Sequence, residues 1–200
     1  NKLYIVTKAF SVNGGSNCAV DSDLPDMKFR TYQIPGTSHD AWYNMLDYYE
    51  GYLHDDAAKY NFELSFGGAE GEPLDTPYQY IFHAALRNLY VWVREGVPAP
   101  HAPKIEMVPA KPGDLDALTA FNPNSATTKF ENKKDVFGNT MGGIRMACMD
   151  YPVGRYVSHS KKVDGSYDPM FGTVYPFAPE QLKAMYGGLE HYKELVEKSA

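Results

Sequence analysis

Between residues 27 and 49 the chain changes its apolar period across a single turn, and that switch constrains the fold more than any other feature. Residues 27–34, Met-Lys-Phe-Arg-Thr-Tyr-Gln-Ile, are rich in aromatic and β-branched types and read as a strand. Pro35-Gly36 stops it. Trp42, Met45, Leu46 and Tyr49 then fall at i, i+3, i+4 and i+7, which is one apolar stripe of a helix. His39 stands between the two patterns. A strand passing through a tight turn into a helix is the repeating unit of an α/β sheet, and ligands bind such sheets at the carboxyl ends of the strands.

The rest of the chain supplies fewer signals. Residues 2–7, Lys-Leu-Tyr-Ile-Val-Thr, read as a second buried strand. Between these strands, Gly14-Gly15 and the cluster of Asp21, Asp23, Pro25 and Asp26 read as loop. Thr76-Pro77 offers a helix N-cap with proline at the first position, and residues 78–95 form the clearest helix. Ile81, Ala85, Leu89 and Trp92 line one of its faces, and Gly96 supplies a left-handed stop. Pro98, Pro100 and Pro103 make a stiff extended connector that leads to a short strand at 105–108. Residues 109–135 have little periodicity, and 135–156 are glycine-rich. Ala178-Pro179-Glu180 opens a last helical piece, with Leu182, Met185, Tyr186 and Leu189 on one side and a further helical run from Glu190. Two good strands with long irregular connections are few for a self-contained domain. The chain reads as part of something larger.

Three stretches together resemble the bacterial α/β-hydrolase-domain proteins. The first is Tyr32-Gln33-Ile34-Pro35-Gly36-Thr37-Ser38-His39-Asp40, similar to that family's strand, Gly-Thr-x-His turn and helix. The second runs from Ala84 to Pro100 and is similar to the helix and proline-rich exit that follow. The third is Asp135-Val136-Phe137-Gly138-Asn139-Thr140-Met141-Gly142-Gly143-Ile144-Arg145, with Tyr151-Pro152-Val153 and residues 171–177 after it. The resemblance implies an α/β fold: the C-terminal part of a hydrolase-like doubly wound sheet, with a long irregular and helical C-terminal extension. Residues 1–50 would hold the last sheet strands, the histidine loop and its helix. Residues 51–200 would be a helical, Gly/Pro-rich region packed on the same domain. It also implies a Ser–His–acid mechanism on a small-molecule ester or related acyl substrate.

In such a mechanism the imidazole takes the serine proton and later gives it to the leaving group. His39 is the candidate base by position. The alternative is a helix cap or a loop hydrogen bond. The nucleophile is missing. A Gly-x-Ser-x-Gly elbow is absent, and the nearest string, Gly14-Gly15-Ser16-Asn17-Cys18, lacks the last glycine and a following helix. The serine is therefore expected from sequence outside this chain, with the N-terminal part of the same protein as partner. The acid is unresolved: Thr7-Lys8-Ala9-Phe10 holds no carboxylate where the family carries one, and Asp23 is the candidate among Asp21, Asp23 and Asp26. Arg145 has two readings, a clamp on a substrate carboxylate or a structural tie, and the second is preferred.

Composition removes other classes. Hydrophobic residues make 44% and charged ones 22%, within the ordinary globular range. The net charge is −6 and the Lys and Arg are scattered, which argues against a nucleic-acid partner. An apolar run of the roughly 20 residues that cross a bilayer is lacking. Gly-x-Gly-x-x-Gly and Walker strings are absent, and His54, His83, His101, His159 and His191 have no paired metal spacing, so no cofactor or metal is expected. Cys18 and Cys148 give no disulfide framework. The chain opens at Asn1 without a leader pattern, as a mature secreted form or a processed piece would, and the compartment stays open. Two further readings stand beside the hydrolase: a degenerate, non-catalytic binding module on the same scaffold, and a small-molecule binder using Tyr43, Tyr48 and Trp92.

Overall fold

The computed structural model describes residues 2–8, 20–38, 41, 71–109, 130–168 and 171–199. Its centre is a parallel pair, β1 (Lys2–Lys8) and β3 (Met27–Gln33), in register from Lys2 opposite Met27 to Lys8 opposite Gln33. Both strands therefore end at the same edge, and the turn after Gln33 opens there. The segment expected to be loop holds a further strand, β2 (Ser22–Leu24), which forms a hairpin with β3 across Pro25-Asp26. Ser and Asp are weak strand formers. Pairing with the long β3 overrides their local preference.

The edge of β3 beyond Phe29 is closed by side chains and a loop. Thr31 N–H donates to Asp21 Oδ1 at 2.9 Å, and the Thr31 carbonyl accepts from Lys104 Nζ. The Gln33 carbonyl accepts from Ile144 N–H at 2.7 Å. Each bond replaces a missing ladder bond, so this edge is not a template for another strand.

Along β3 the side chains alternate between faces. Arg30 and Tyr32 point toward α1 (Gln79–Glu95) and its exit. The buried Arg30 guanidinium lies 4.7 Å from the Trp92 ring centroid and donates to the Ala99 carbonyl at 2.7 Å and to Asp23 Oδ1 at 2.5 Å. Tyr32 OH donates to the Pro100 carbonyl at 2.9 Å. The proline-rich connector is thus fastened to the sheet through its carbonyls. Arg30→Ala is expected to lower stability by about 2 kcal/mol, from an orphaned Ala99 carbonyl and a cavity over Trp92. Lysine will not restore it, because one ammonium cannot reproduce the planar fork. Asp23→Ala should change stability by less than about 1 kcal/mol, since that carboxylate is half exposed. Urea unfolding of the three variants checks the ranking.

α1 keeps the expected inner face: Ala85 and Trp92 are buried, Ile81 and Leu89 half-buried, and Gly96 ends it at φ 73°. Its start differs from expectation. Thr76 does not cap it; its hydroxyl donates to the Gly36 carbonyl at 2.5 Å, and Tyr78 stands at the cap position without a side-chain capping hydrogen bond. Tertiary contact outcompetes a local cap here.

The remaining elements are short. β4 (Glu72–Pro73), β10 (Thr173–Pro176) and β7 (Gly154–Val157) form an antiparallel sheet in that order. β5 (Met107–Pro109) pairs with β6 (Phe130–Asn132), and β8 (Ser160–Lys161) with β9 (Tyr167–Asp168). The expected strand at 105–108 is displaced to 107–109, with Ile105 forming an isolated bridge to Gly142. α2 (Ala147–Asp150) is a single turn, and α3 (Pro179–Tyr186) and α4 (Leu189–Ser199) close the chain. Tyr186 pins that end by donating to the Pro152 carbonyl at 2.8 Å. The fold is thus mixed α/β, with sheets of at most three strands among the described residues. Among the same residues no helix is long and apolar enough to cross a membrane, and no group of three or more His, Cys, Asp or Glu could hold a metal ion.

Candidate active site

The chain leaves β3 through Ile34, Pro35, Gly36, Thr37 and Ser38, and all but Gly36 are buried. Polar Thr37 and Ser38 are as inaccessible as Ile34. Thr37 Oγ1 donates to the Ile34 carbonyl at 2.9 Å and closes the turn on itself, while Thr76 holds the Gly36 carbonyl from outside. Gly36 adopts φ 70°, a region that costs a residue with a Cβ roughly 1–2 kcal/mol. A Cβ there would also collide with the side chain of buried Met149. Glycine is required twice over.

The underside of the turn is built from the glycine-rich segment. Gly143, at φ 72°, lets its backbone lie against Gln33 and Pro35: a Cβ would be 2.7 Å from the Gln33 carbonyl oxygen and 2.9 Å from Pro35 Cδ. Gln33 Oε1 accepts from Ile105 N–H at 2.7 Å, which ties the connector to the same place. Arg145 completes the support. It donates to Asp150 Oδ1 at 2.5 Å, to the Thr140 carbonyl at 3.2 Å and to the Met149 carbonyl. All three guanidinium nitrogens are engaged within the protein, which is the geometry of a structural tie.

His39 and Ser16 lie outside the described residues. Immediately around position 39, Ser38 and Ala41 are both buried. Asp23 sits opposite Lys28 at the amino end of β3, five residues before Gln33 and so roughly 17 Å from where the turn begins. It pairs with Arg30. The acidic loop is brought together with His101 instead: Nδ1 lies 3.0 Å from Asp21 Oδ2, and Nε2 lies 3.7 Å from Asp23 Oδ2. Asp26 is exposed in the hairpin turn.

Burial pushes the Asp21 carboxyl up, but the Thr31 amide, Lys104 and His101 together pull it further down, so it ends below its ordinary value. A folded-state value below the unfolded one stabilises the fold above the unfolded pKa and is lost as pH falls through the folded pKa. Unfolding midpoints should therefore drop as pH falls below about 4. Asp21→Asn should flatten that slope, as urea titrations at a series of pH values would reveal. In α2, burial is the main cause that pushes the Cys148 thiol up to about 11. A thiol that high stays protonated at neutral pH and does not serve as a nucleophile.

Reading the sequence did not single out Met149, Thr76 or Gln33 as supports of the turn. Gln33 carried a signal, a polar residue inside an apolar strand, which is buried only when partnered. Met149 and Thr76 carried none, because their contacts with the turn cross 40 positions or more.

Comparison with known proteins gives one result. The pattern of a family described as alpha/beta hydrolase domain matches residues 7–200, nearly the whole chain. No curated protein and no solved structure matches it. A parallel strand pair, a locked turn at its carboxyl edge and a match over that length agree with one another: the chain belongs to the alpha/beta hydrolase domain family.

Proposed function

We propose that this chain carries the histidine half of a serine hydrolase acting on an ester or related acyl bond, with His39 as general base. The observation that carries the proposal is the buried, doubly fastened turn at the carboxyl end of β3, with Gly36 at φ 70° three residues before His39. Rigid support below a loop is what a base needs, because proton transfer requires heavy atoms about 2.6–3.2 Å apart in the reactive complex. The β1–β3 pair would be part of a larger doubly wound sheet, since parallel strands need neighbours and covering helices on both faces. The serine would come from a Gly-x-Ser-x-Gly elbow outside these 200 residues, for none lies within them.

The test is covalent labelling of the natively expressed protein with a fluorophosphonate, followed by peptide mapping. The expected mark is a serine outside residues 1–200. A labelled serine within these residues overturns the assignment.

A second reading is favoured by specific observations. Asp23 is engaged by Arg30 at the far end of β3, and β1 ends in Lys8 rather than a carboxylate. Both fit a degenerate hydrolase scaffold that binds a ligand without turning it over. Absence of any fluorophosphonate labelling, with a bound acyl compound recovered from the native protein, would select this reading.

A further inference from the structure

α1 carries an exposed apolar stripe. Phe82, Leu86, Tyr90, Val93 and, just past the helix end, Val97 are between 41% and 67% exposed. At about 100° per residue, the four within the helix share an arc of roughly 80°. His83, Arg94 and Arg87, all exposed, fill the next roughly 60° on one side. Glu95, the single acid of the helix, falls on the opposite side. The Arg94 guanidinium lies 5.5 Å from the Tyr90 ring centroid. Among the described residues, none of these three basic side chains joins an ion pair.

The stripe and its border together select an occupant. A contiguous apolar patch on a folded domain marks an interaction surface. This one measures roughly 25 Å by 10 Å, whereas a stable protein interface covers about 800 Å² on each partner. An antiparallel two-fold pairing of copies would also set the two basic borders side by side, where like charges oppose contact. A bilayer surface makes neither demand. It takes up the apolar side of a single surface helix to a depth of about 5–10 Å, and anionic headgroups meet the basic border. The chain as a whole carries a net charge of −6 and is repelled by such a surface at long range. The border acts within the roughly 8–10 Å over which charges are felt in physiological salt.

We infer that α1 is a peripheral docking surface for anionic lipid bilayers, lying along the interface and not across it. Phe82, Leu86, Val93 and Val97 enter the acyl boundary, and the Tyr90 ring sits at headgroup level. Arg87 and Arg94 donate to lipid phosphates, which the planar guanidinium fork fits. Both halves are needed. Apolar burial alone does not tell one headgroup from another, and a basic border alone is screened by salt. The inference does not depend on the hydrolase reading.

Vesicle cosedimentation of the whole chain tests it, comparing phosphatidylcholine vesicles with vesicles in which phosphatidylserine replaces part of the phosphatidylcholine. Binding should be at least about 10-fold tighter to the anionic vesicles. Leu86→Gln with Val93→Gln should weaken it by about 10-fold or more while leaving the urea unfolding curve in place, since both side chains are already exposed. Arg87→Gln with Arg94→Gln should lower binding to anionic vesicles to the level of neutral ones. Lys183→Gln with Lys198→Gln, the same charge change on α3 and α4, should leave binding within about 2-fold. Four outcomes overturn the inference. They are no binding to anionic vesicles, equal binding to both kinds, binding that survives the Leu86 and Val93 changes, and an equal loss from the lysine pair. Self-association that replaces vesicle binding, and that the Leu86 and Val93 changes abolish, also overturns it and identifies a second copy as the occupant.

Discussion

If the proposed serine–histidine mechanism holds, replacing His39 with alanine in the natively expressed protein is expected to lower kcat/KM for an acyl ester by about 10³-fold or more. Loss of a general base that works together with a nucleophile removes most of what the pair achieves, because neither acts well alone. A loss of 10³ corresponds to about 4 kcal/mol of transition-state stabilisation. The turn before position 39 is fastened by Thr37, Thr76 and the Gln33–Ile144 bond, none of which involves the imidazole. Substitution at 39 should therefore act on the rate of fluorophosphonate labelling and turnover, not on the β3 turn itself. Steady-state kinetics with a p-nitrophenyl ester, beside an unfolding curve, separate the two. Activity within about 3-fold of the parent protein, on a correctly folded variant, would move the base elsewhere.

Gly143→Ala is expected to destabilise the chain by about 4 kcal/mol, although it adds one methyl group. Roughly 1–2 kcal/mol comes from forcing a Cβ into the left-handed region at φ 72°. The remainder is overpacking against atoms that cannot swing away, the Gln33 carbonyl oxygen and Pro35 Cδ. Gly165 is the internal control: it adopts φ 84° with nothing within 4 Å of a built Cβ. Gly165→Ala should cost only the backbone strain, about 1 kcal/mol. Urea unfolding of both variants gives the difference. If the two cost the same, Gly143 does not brace the strand end. Because Gly143 lies beneath the turn, its substitution should also slow fluorophosphonate labelling in the fraction that folds.

Much of the frame was legible locally. β1, β3, α1 and α3 carry their own periodicity, and Gly36 and Gly96 mark their stops at φ 70° and 73°. The short elements were not. β2 is three residues that became a strand because β3 offered an edge, and Thr76 abandoned a good capping position for a carbonyl 40 residues away. Such outcomes depend on which segments meet, and propensities of a few tenths of a kcal/mol do not resist a buried tertiary bond.

The candidate site divides the same way. The sequence by itself determined that His39 follows a strand and a Pro-Gly turn, because a period change and a turn signal are properties of neighbouring residues. Only the tertiary structure decided that Asp23 serves Arg30, that Arg145 is spent on Asp150 and two carbonyls, and that the glycine-rich segment is the floor of the turn. Those assignments are set by distances between chain segments far apart in order, and a carboxylate or guanidinium takes whichever partner the packed backbone brings within about 3 Å.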